Sequence, residues 1–259
     1  MPDRRVHRGP HPDDLQLFAA EAWPLLTAAI DDLCWLLSRS YPTNAARKLV
    51  GDRYNLTARQ RIAVERCSCS EASMAARRSR QASPEAVRGR SLWLDGYNVL
   101  TTIEAALSGG VILAGRDGCY RDMASMHGSY RKVVETLPAL EHIGHTASEL
   151  EVAECIWYLD RPVSNSGRLR AIVEQMGARH GWPWHAELVQ DPDGLLAQSG
   201  QVVVTADSAI LDRCAAWFNL ARETIARHVP DAIIPDLSGK QHSPSAPGFA
   251  GATPDNVRG

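Results

Sequence analysis

Aspartates close three short apolar runs in the second half of the chain. Asp95 ends SLWLD, Asp160 ends AECIWYLD and Asp207 ends QVVVTAD. In a parallel α/β sheet, ligands bind outside the carboxyl ends of the strands, so these three side chains are candidates for one shared site. The alternative for each Asp is a structural role, in which it caps the helix that follows.

Carboxylates that cluster repel one another, and hard divalent cations with oxygen ligands relieve that repulsion. The pattern therefore indicates Mg²⁺ or Mn²⁺ as a cofactor. A carboxylate-held cation can activate water and stabilise a phosphoryl centre, which is the chemistry of metal-dependent nucleases. The chain contains no P-loop, no G-x-G-x-x-G, no H-E-x-x-H and no G-x-S-x-G, which disfavours nucleotide-powered enzymes and serine hydrolases.

The sequence that must position these residues divides into two regions with different patterns of apolar and polar residues. Residues 13–88 read as an all-helical domain, with a turn at Gly51 and Asp52, a helix capped by Thr57 and a helix over 71–80. From 91 to 238, short apolar runs alternate with helical stretches. The last of these runs is DAIIPD, closed by Asp236, and the helical stretches include one long helix over 120–150 and another over 208–229. Such alternation predicts an α/β fold with a parallel sheet flanked by helices. The first ten residues and the tail 239–259 are predicted to be disordered.

Charge is distributed unevenly along the 259 residues. The segment 39–90 carries 12 Lys and Arg against 4 Asp and Glu, a net charge of +8, whereas 91–259 carries 13 against 20, a net charge of −7. This asymmetry predicts that the helical domain grips a polyanion, for which nucleic acid is favoured, with Arg59 and Arg61 among its phosphate contacts, while the acidic domain holds cations. Two alternatives are an ordinary solvated helical surface and a surface for a protein partner.

Membrane insertion is not expected from this sequence. No apolar run approaches the roughly 20 residues that span a bilayer, and the first residues lack the apolar stretch of a secretory signal. We therefore predict a cytoplasmic protein with no membrane partner.

Two motifs resemble those of a known nuclease superfamily. LWLDGYNVL resembles the opening strand and turn of the NYN branch of the PIN-like nucleases, and VVVTADSAILD is similar to their later strand that runs into T/S-x-D and a helix. The resemblance implies a PIN-like fold, RNA as substrate, and Mg²⁺ or Mn²⁺ held by Asp95, Asp160 and Asp207. It also implies that Asn98 orients the first Asp or a metal-bound water. The arrangement with a helical N-terminal domain resembles an uncharacterised prokaryotic two-domain family.

A fourth carboxylate and the substrate contacts are placed from local patterns. Asp122 is preferred to Asp117 as the fourth metal ligand, because Asp117 precedes Gly118 in a turn-like stretch whereas Asp122 lies in a helix-compatible one. Candidate substrate contacts comprise two phosphate-gripping arginines, a stacking tyrosine and an anion site at a helix start: Arg121, Arg131, Tyr130, Ser164, Asn165 and Ser166. The alternatives are a solvated helix face with one buried aromatic, and an ordinary N-cap at Asn165.

The sequence thus predicts a metal-dependent ribonuclease with a basic helical domain that grips RNA. Two rival functions stay open at this point. One is a PIN-like domain that has lost catalysis and serves as an RNA- or protein-binding scaffold. The other is a metal-dependent phosphatase that acts on a small phosphoester. A homodimer or a regulatory protein partner is also left open.

Overall fold

Helices make up the N-terminal part of the chain. The computed structural model describes residues 7–123, 130–235 and 237. The helices are α1 (Asp14–Leu17), α2 (Trp23–Ser38), α3 (Thr43–Arg53), α4 (Ala58–Cys67) and α5 (Glu71–Arg80), with 3₁₀ turns at Ala20–Ala22 and Glu85–Val87. Thr57 caps α4 through a capping box with Gln60, so the predicted cap is confirmed. The helix predicted over 71–80 is also confirmed.

Two local predictions in this part are wrong. Helix α3 runs through Gly51 and Asp52, where a turn was expected. Gly51 lies against the guanidinium of Arg61, so a Cβ at this position would collide with that side chain. The lead is ordered where it is described, because Arg8 is 8% exposed and its Nη2 lies 2.8 Å from Oε2 of the buried Glu104. Residues 1–6 lie outside the described part of the chain.

The remainder is an α/β unit, as predicted. Its elements are β1 (Ser91–Asp95), α6 (Gly96–Leu107), β2 (Ile112–Ala114), β3 (Tyr120–Asp122), α7 (Thr136–Glu149), β4 (Glu154–Asp160), α8 (Ser166–His180), β5 (Trp184–Val189), α9 (Pro192–Gln198), β6 (Val202–Val204), α10 (Ser208–Leu211), β7 (Ala216–Trp217) and α11 (Leu220–His228). Five strands form one sheet in the order β5-β4-β1-β6-β7 with all pairs parallel. Strand β6 is buried along its whole length, as its run of Val residues requires.

Three element predictions fail in the α/β unit. Residues 120–150 are not one helix, because β3 pairs antiparallel with β2 before α7 begins. The stretch 208–229 is interrupted by β7, which lies between α10 and α11. The run DAIIPD forms no extended strand among its described residues; Ile233 makes an isolated bridge to Val111, and Asp236 lies outside the described residues. The tail 239–259 also lies outside them.

The helical part packs directly on the β2 and β3 hairpin. Leu33 and Val64 of the helices share one buried cluster with Val111, Leu113 and Met123 from the hairpin and its flanks. Burial of such apolar side chains is the main force that holds the two parts together. Among the described residues, no helix is both long enough and apolar enough to cross a membrane.

The order of the strands creates a crevice at one point of the sheet. From β1 the chain passes to β4 and β5 on one side, whereas β6 and β7 lie on the other side of β1. In open parallel sheets, ligands bind outside the carboxyl ends of the strands at such a reversal. The carboxyl ends of β1 and β6 therefore mark the expected site.

Candidate active site

A pocket of about 540 Å³ opens at the carboxyl ends of β1 and β6. Its acidic lining comes from four separate parts of the α/β unit and from one helix of the N-terminal part. The carboxylates that line it are Asp95, Asp122, Asp193, Asp207 and Glu65. Strand order and side-chain chemistry thus bring five carboxylates to one crevice.

Asp95 is a buried member of this group and lies at the end of β1. Its residue surface is 8% exposed, and its Oδ2 accepts a hydrogen bond of 2.8 Å from the Thr205 hydroxyl. Burial raises the pKa of Asp95 to about 7, with help from the charges of Asp193 and Asp207, although the Thr205 hydrogen bond lowers it. Near neutral pH, both the protonated and the ionised form of this carboxyl are therefore populated.

The residues after Asp95 fix its position. Helix α6 begins at Gly96, where an added Cβ would lie 2.5 Å from Leu159 Cδ2 and 3.0 Å from the Tyr158 carbonyl oxygen of β4. Only glycine allows this close approach of helix and strand. Asn98 Oδ1 accepts a 2.8 Å hydrogen bond from the backbone N–H of Ala206, so Asn98 ties α6 to the loop that carries Asp207. This is a positioning role on the Ala206 segment, whereas the orientation of Asp95 or of a metal-bound water by Asn98 stays a prediction of the resemblance.

Asp207 lies three residues after Val204, the last residue of β6. Its Oδ1 accepts hydrogen bonds from the backbone N–H groups of Ala209, at 2.7 Å, and Ile210, at 3.2 Å. Asp207 therefore caps α10, as the structural alternative in the sequence analysis proposed, because these bonds close the first turn of that helix. The same residue also lines the pocket, so its capping role and its place in the site coexist.

Asp122 enters the pocket from β3 and not from the helix that was predicted for it. Its Oδ2 accepts hydrogen bonds from the hydroxyls of Thr102, at 3.0 Å, and Thr101, at 3.3 Å. Arg66 of α4 donates to the Asp122 carbonyl oxygen, and its Nη1 lies 3.8 Å from Oδ1. The preference for Asp122 agrees with this geometry, although the reason given for it was wrong.

Asp193 is the carboxylate that the sequence interpretation missed. It lies in the first turn of α9, and its pKa is raised by burial and by the charges of Asp207, Asp160 and Asp191. Asp160 closes β4 at the same edge but does not line the pocket, and its pKa is raised by burial. Asp193 therefore lines the pocket in which Asp160 was expected.

The lining has the oxygen chemistry that Mg²⁺ and Mn²⁺ prefer. Among residues 7–123, 130–235 and 237, however, no three Asp, Glu, His or Cys side chains are arranged to hold one ion together. Mg²⁺ commonly keeps several waters and is bound by one or two carboxylates. Asp95 with Asp193 or Asp207 fits this second manner of binding, because Asp95 feels the charge of each of them.

Tyr97 contributes a hydroxyl whose hydrogen bonding is incomplete. The residue is 4% exposed, lines the pocket and packs its ring against Tyr130 with 5.4 Å between centroids. Its hydroxyl is buried and has no hydrogen-bond partner among the described residues. Burial and the charge of Asp160 raise the pKa of Tyr97, so the group stays protonated. The Y of the D-G-Y-N motif was the signal that could have identified it.

We expect Tyr97→Phe to raise the free energy of unfolding by about 1 kcal/mol, because burying an unsatisfied hydroxyl costs about 1–3 kcal/mol. Tyr130→Phe is the matched control. The Tyr130 hydroxyl donates to Glu104 Oε1 at 2.6 Å, so this variant should be destabilised. Urea unfolding of both variants gives the comparison, and a loss of stability in Tyr97→Phe would contradict the description of its hydroxyl.

Two predicted substrate contacts are engaged within the protein. Tyr130 is 2% exposed, so the prediction that its ring stacks on a base is wrong. Arg121 lines the pocket, but its guanidinium makes two hydrogen bonds to Asp117, at 2.9 and 2.6 Å, and one to the Ala206 carbonyl, at 2.8 Å. The structure therefore supports a positioning role for Arg121 on the Ala206 loop and not the predicted grip on phosphate.

Arg131 and the loop after β4 form a second, basic cleft of about 280 Å³. Its polar lining consists of Arg131, Lys132, Asn165 and Arg168. Asn165 has a left-handed backbone with φ of 69° and donates from Nδ2 to the Tyr130 carbonyl, and Ser166 Oγ donates to the Arg161 carbonyl. Ser164 and Ser166 do not line the cleft, so only Asn165 of the predicted anion loop contributes to it.

Most cations of the basic helices are already paired with acids. Eight Lys and Arg residues lie between positions 47 and 78. Seven of them form ion pairs, namely Arg47, Lys48, Arg53, Arg59, Arg61, Arg66 and Arg77. Arg59 binds the buried Asp14, with 2.7 Å between Nη2 and Oδ2, and Arg61 Nη2 lies 2.9 Å from Asp52 Oδ1. The predicted RNA contacts at Arg59 and Arg61 are thus occupied by internal partners.

Comparison with known proteins gives two family matches. A family described as "Domain of unknown function (DUF5616)" matches residues 84–223, and one described as "Protein of unknown function (DUF434)" matches residues 25–80. The four pocket aspartates fall within the first match, and Glu65 falls within the second. The uncharacterized protein MJ0935 of Methanocaldococcus jannaschii is 26% identical over 183 residues, which cover 71% of this chain and 87% of that protein. No solved structure matches the chain.

Proposed function

The chain belongs to the DUF5616 family, and we propose that it is a ribonuclease that depends on Mg²⁺ or Mn²⁺ and cleaves RNA phosphodiester bonds at the acidic pocket. The observation that supports the proposal is the convergence of Asp95, Asp122, Asp193 and Asp207 at the strand reversal of a parallel sheet. The residues that resemble PIN-like nucleases, Asp95, Asn98 and Asp207, belong to this pocket.

The electrostatics of the pocket favour a cation. Asp95 is buried beside two other carboxylates, and its raised pKa measures how poorly the protein alone tolerates its charge. A bound divalent cation would supply charge for the carboxylates and for the phosphate of a substrate. Asp95 would hold the cation together with either Asp193 or Asp207. Asp160 would not be one of its ligands.

The other polar residues around the pocket hold its aspartates and the Ala206 segment in place. Thr205 donates to Asp95, Asn98 and Arg121 hold the Ala206 segment through its N–H and carbonyl, and Thr101 and Thr102 hold Asp122. A carboxylate fixed in this manner loses little freedom when it binds a ligand, which favours affinity. Glu65 and Arg66 of α4 also line the pocket, so the helical part contributes to its wall.

RNA cleavage by the full chain tests the proposal. We expect single-stranded RNA to be cleaved with Mn²⁺ or Mg²⁺, and not with EDTA, and we expect Asp193→Asn to reduce cleavage at least a hundredfold. Asp231→Asn, which changes an exposed carboxylate outside the pocket, is the matched control. No cleavage by the wild type would favour the scaffold alternative, and hydrolysis of p-nitrophenyl phosphate without RNA cleavage would favour the phosphatase.

We expect RNA to be gripped at the basic cleft rather than along the basic helices. Replacing Arg131, Lys132 and Arg168 with Ala should flatten the slope of log K against log salt by about two units, since each phosphate contact to a single strand contributes roughly −0.7. These three cations form no ion pair with a carboxylate of the described residues, and they line one cleft. Filter binding at several salt concentrations, with EDTA present, measures the slope.

The control for this prediction is a variant of the helices. Arg47→Ala with Lys48→Ala removes two cations that pair with Glu65 and Asp52 on the helical surface. An unchanged slope in this variant is expected. If it flattens the slope and the variant of the basic cleft does not, the helices are the part of the protein that grips RNA.

A further inference from the structure

A third cleft, of about 360 Å³, lies where the helical part meets the α/β unit. The last turn of α5 and the residue after it provide Arg78 and Gln81, the loop between β2 and β3 provides Arg116, and α11 provides Arg222. Tyr120 and Ile234 complete an apolar portion of the wall. Three guanidinium groups thus surround one opening that is large enough for a small ligand.

The charge of this arginine cleft is only partly balanced within the protein. Arg116 Nη2 lies 2.7 Å from Asp31 Oδ1. Arg78 and Arg222 form no ion pair with any carboxylate of the described residues; Arg222 makes a 3.4 Å hydrogen bond to the Gly118 carbonyl and lies 5.5 Å from the centre of the Tyr120 ring. Within the described part of the chain, two cations that line the cleft therefore have no acidic partner.

The one carboxylate in the wall is committed elsewhere. Asp117 is 4% exposed and binds Arg121 at 2.6 and 2.9 Å and Arg77 at 2.6 Å. These two buried guanidinium groups hold the pKa of Asp117 well below its usual range, against the effect of burial. Asp117 thus forms its ion pairs with Arg77 and Arg121, and it does not neutralise Arg78 or Arg222.

We propose that the arginine cleft binds the phosphate group of a nucleotide. Guanidinium groups present parallel N–H donors that match phosphate oxygens, and they are the usual choice for such recognition. The ring of Tyr120 offers a face for the base, and the volume exceeds what a bare phosphate needs. Because Arg78 comes from the helical part and Arg116 and Arg222 from the α/β unit, a bound nucleotide would connect the two.

The nucleotide has two sources, a free nucleoside monophosphate or a residue of an RNA strand. Asp117 lines the arginine cleft while its partner Arg121 lines the acidic pocket, so the two openings share one wall. Binding at the arginine cleft does not require cleavage at the acidic pocket. It is therefore measured with EDTA present, which separates its failure from a failure of the proposed ribonuclease function.

Titration calorimetry of the full chain with AMP, and separately with a short single-stranded RNA, tests the proposal. The variant is Arg78→Gln with Arg222→Gln, and the control is Arg170→Gln with Arg179→Gln, which removes two exposed charges from α8. We expect the variant to weaken binding at least tenfold, because it removes two charge-assisted hydrogen-bond donors to the phosphate, and we expect the control to be unchanged.

The two ligands distinguish the source of the phosphate. Loss of AMP binding in the variant supports a free nucleotide, and loss of RNA binding where AMP does not bind supports a strand. Inorganic phosphate, added as a competitor, should displace the ligand in either case. The proposal is overturned if neither ligand binds the wild type, or if the arginine variant binds both as tightly as the control. Circular dichroism spectra of the variants should match that of the wild type, since neither side chain joins a buried pair.

Discussion

Asp95→Asn should raise the melting temperature of the cation-free protein, and raise it more at pH 8 than at pH 5. The pKa of Asp95 is about 7 in the fold against 3.8 unperturbed, so the folded chain holds this proton more tightly than the unfolded chain. The contribution of Asp95 to the free energy of unfolding therefore falls as pH rises from about 4 to about 7 and is then constant. At pH 8 the ionised carboxyl of Asp95 lowers the free energy of unfolding by about 4 kcal/mol.

Asparagine carries no such charge, so the difference between variant and wild type isolates the effect. The stabilisation should grow by about 2–3 kcal/mol between pH 5 and pH 8, or roughly 5–10 °C in Tm for a chain of this size. Thermal melts in EDTA at both pH values measure it. Asp231→Asn, at an exposed position, should show no such growth. A gain that is equal at pH 5 and pH 8 would mean that Asp95 has an ordinary pKa.

Asp117→Asn should destabilise the protein by about 3–5 kcal/mol. Asp117 joins Arg121 of β3 to Arg77 of α5, and both arginines are buried. Removing one partner from a buried ion pair leaves an uncompensated charge, which costs about that amount. Among the described residues, the Arg121 guanidinium would then have no charged partner. Urea unfolding at pH 7 measures the change.

Asp212→Asn is the matched control for this variant. Asp212 also binds Arg77, with 2.7 Å between Oδ1 and Nε, but its side chain is 39% exposed, so its loss should cost no more than about 1 kcal/mol. The pKa of Asp117 is lowered, so the stability that it contributes is complete above about pH 4 and is lost as pH falls further. Equal costs for the two variants would contradict the central place of Asp117.

The fold was largely predictable because its signals are local. The β1 run SLWLD ends at Asp95, the Thr57 cap lies three residues from its partner Gln60, and the helix over 71–80 has Ser70 as its cap. Each of these depends on residues a few positions apart. The hairpin of β2 and β3 was missed because the burial of Arg121 and Asp122 depends on contacts with distant elements.

The site was predictable only in part, for the same reason. The structure places Asp95 and Asp207 in one pocket, as expected because strand ends in a parallel sheet share an edge, whereas Asp122 reaches the same pocket from the β2 and β3 hairpin. Asp193 follows Pro192 at the start of a short helix, and only the crossing of the chain from β5 back to β6 brings it to that edge.

The net charge of the basic helices did not predict how many of their cations are available to bind a ligand. The +8 segment suggested a surface for RNA, yet Arg59 pairs with Asp14 and Arg77 pairs with Asp117 and Asp212. These partners lie 45, 40 and 135 positions away in the sequence. Local composition contains no information on such distant pairs, so net charge overstated the cations available for a ligand.

Binding of Mn²⁺ to the full chain at pH 6 and pH 8 tests the central claim most directly. Titration calorimetry should show saturable binding that is about tenfold tighter at pH 8, because the cation must displace the proton of Asp95. Asp95→Asn and Asp193→Asn should each weaken binding at least tenfold, whereas Asp231→Asn should not. Absence of saturable Mn²⁺ binding, or equal affinity in all three variants and the wild type, would contradict a cation site in this pocket.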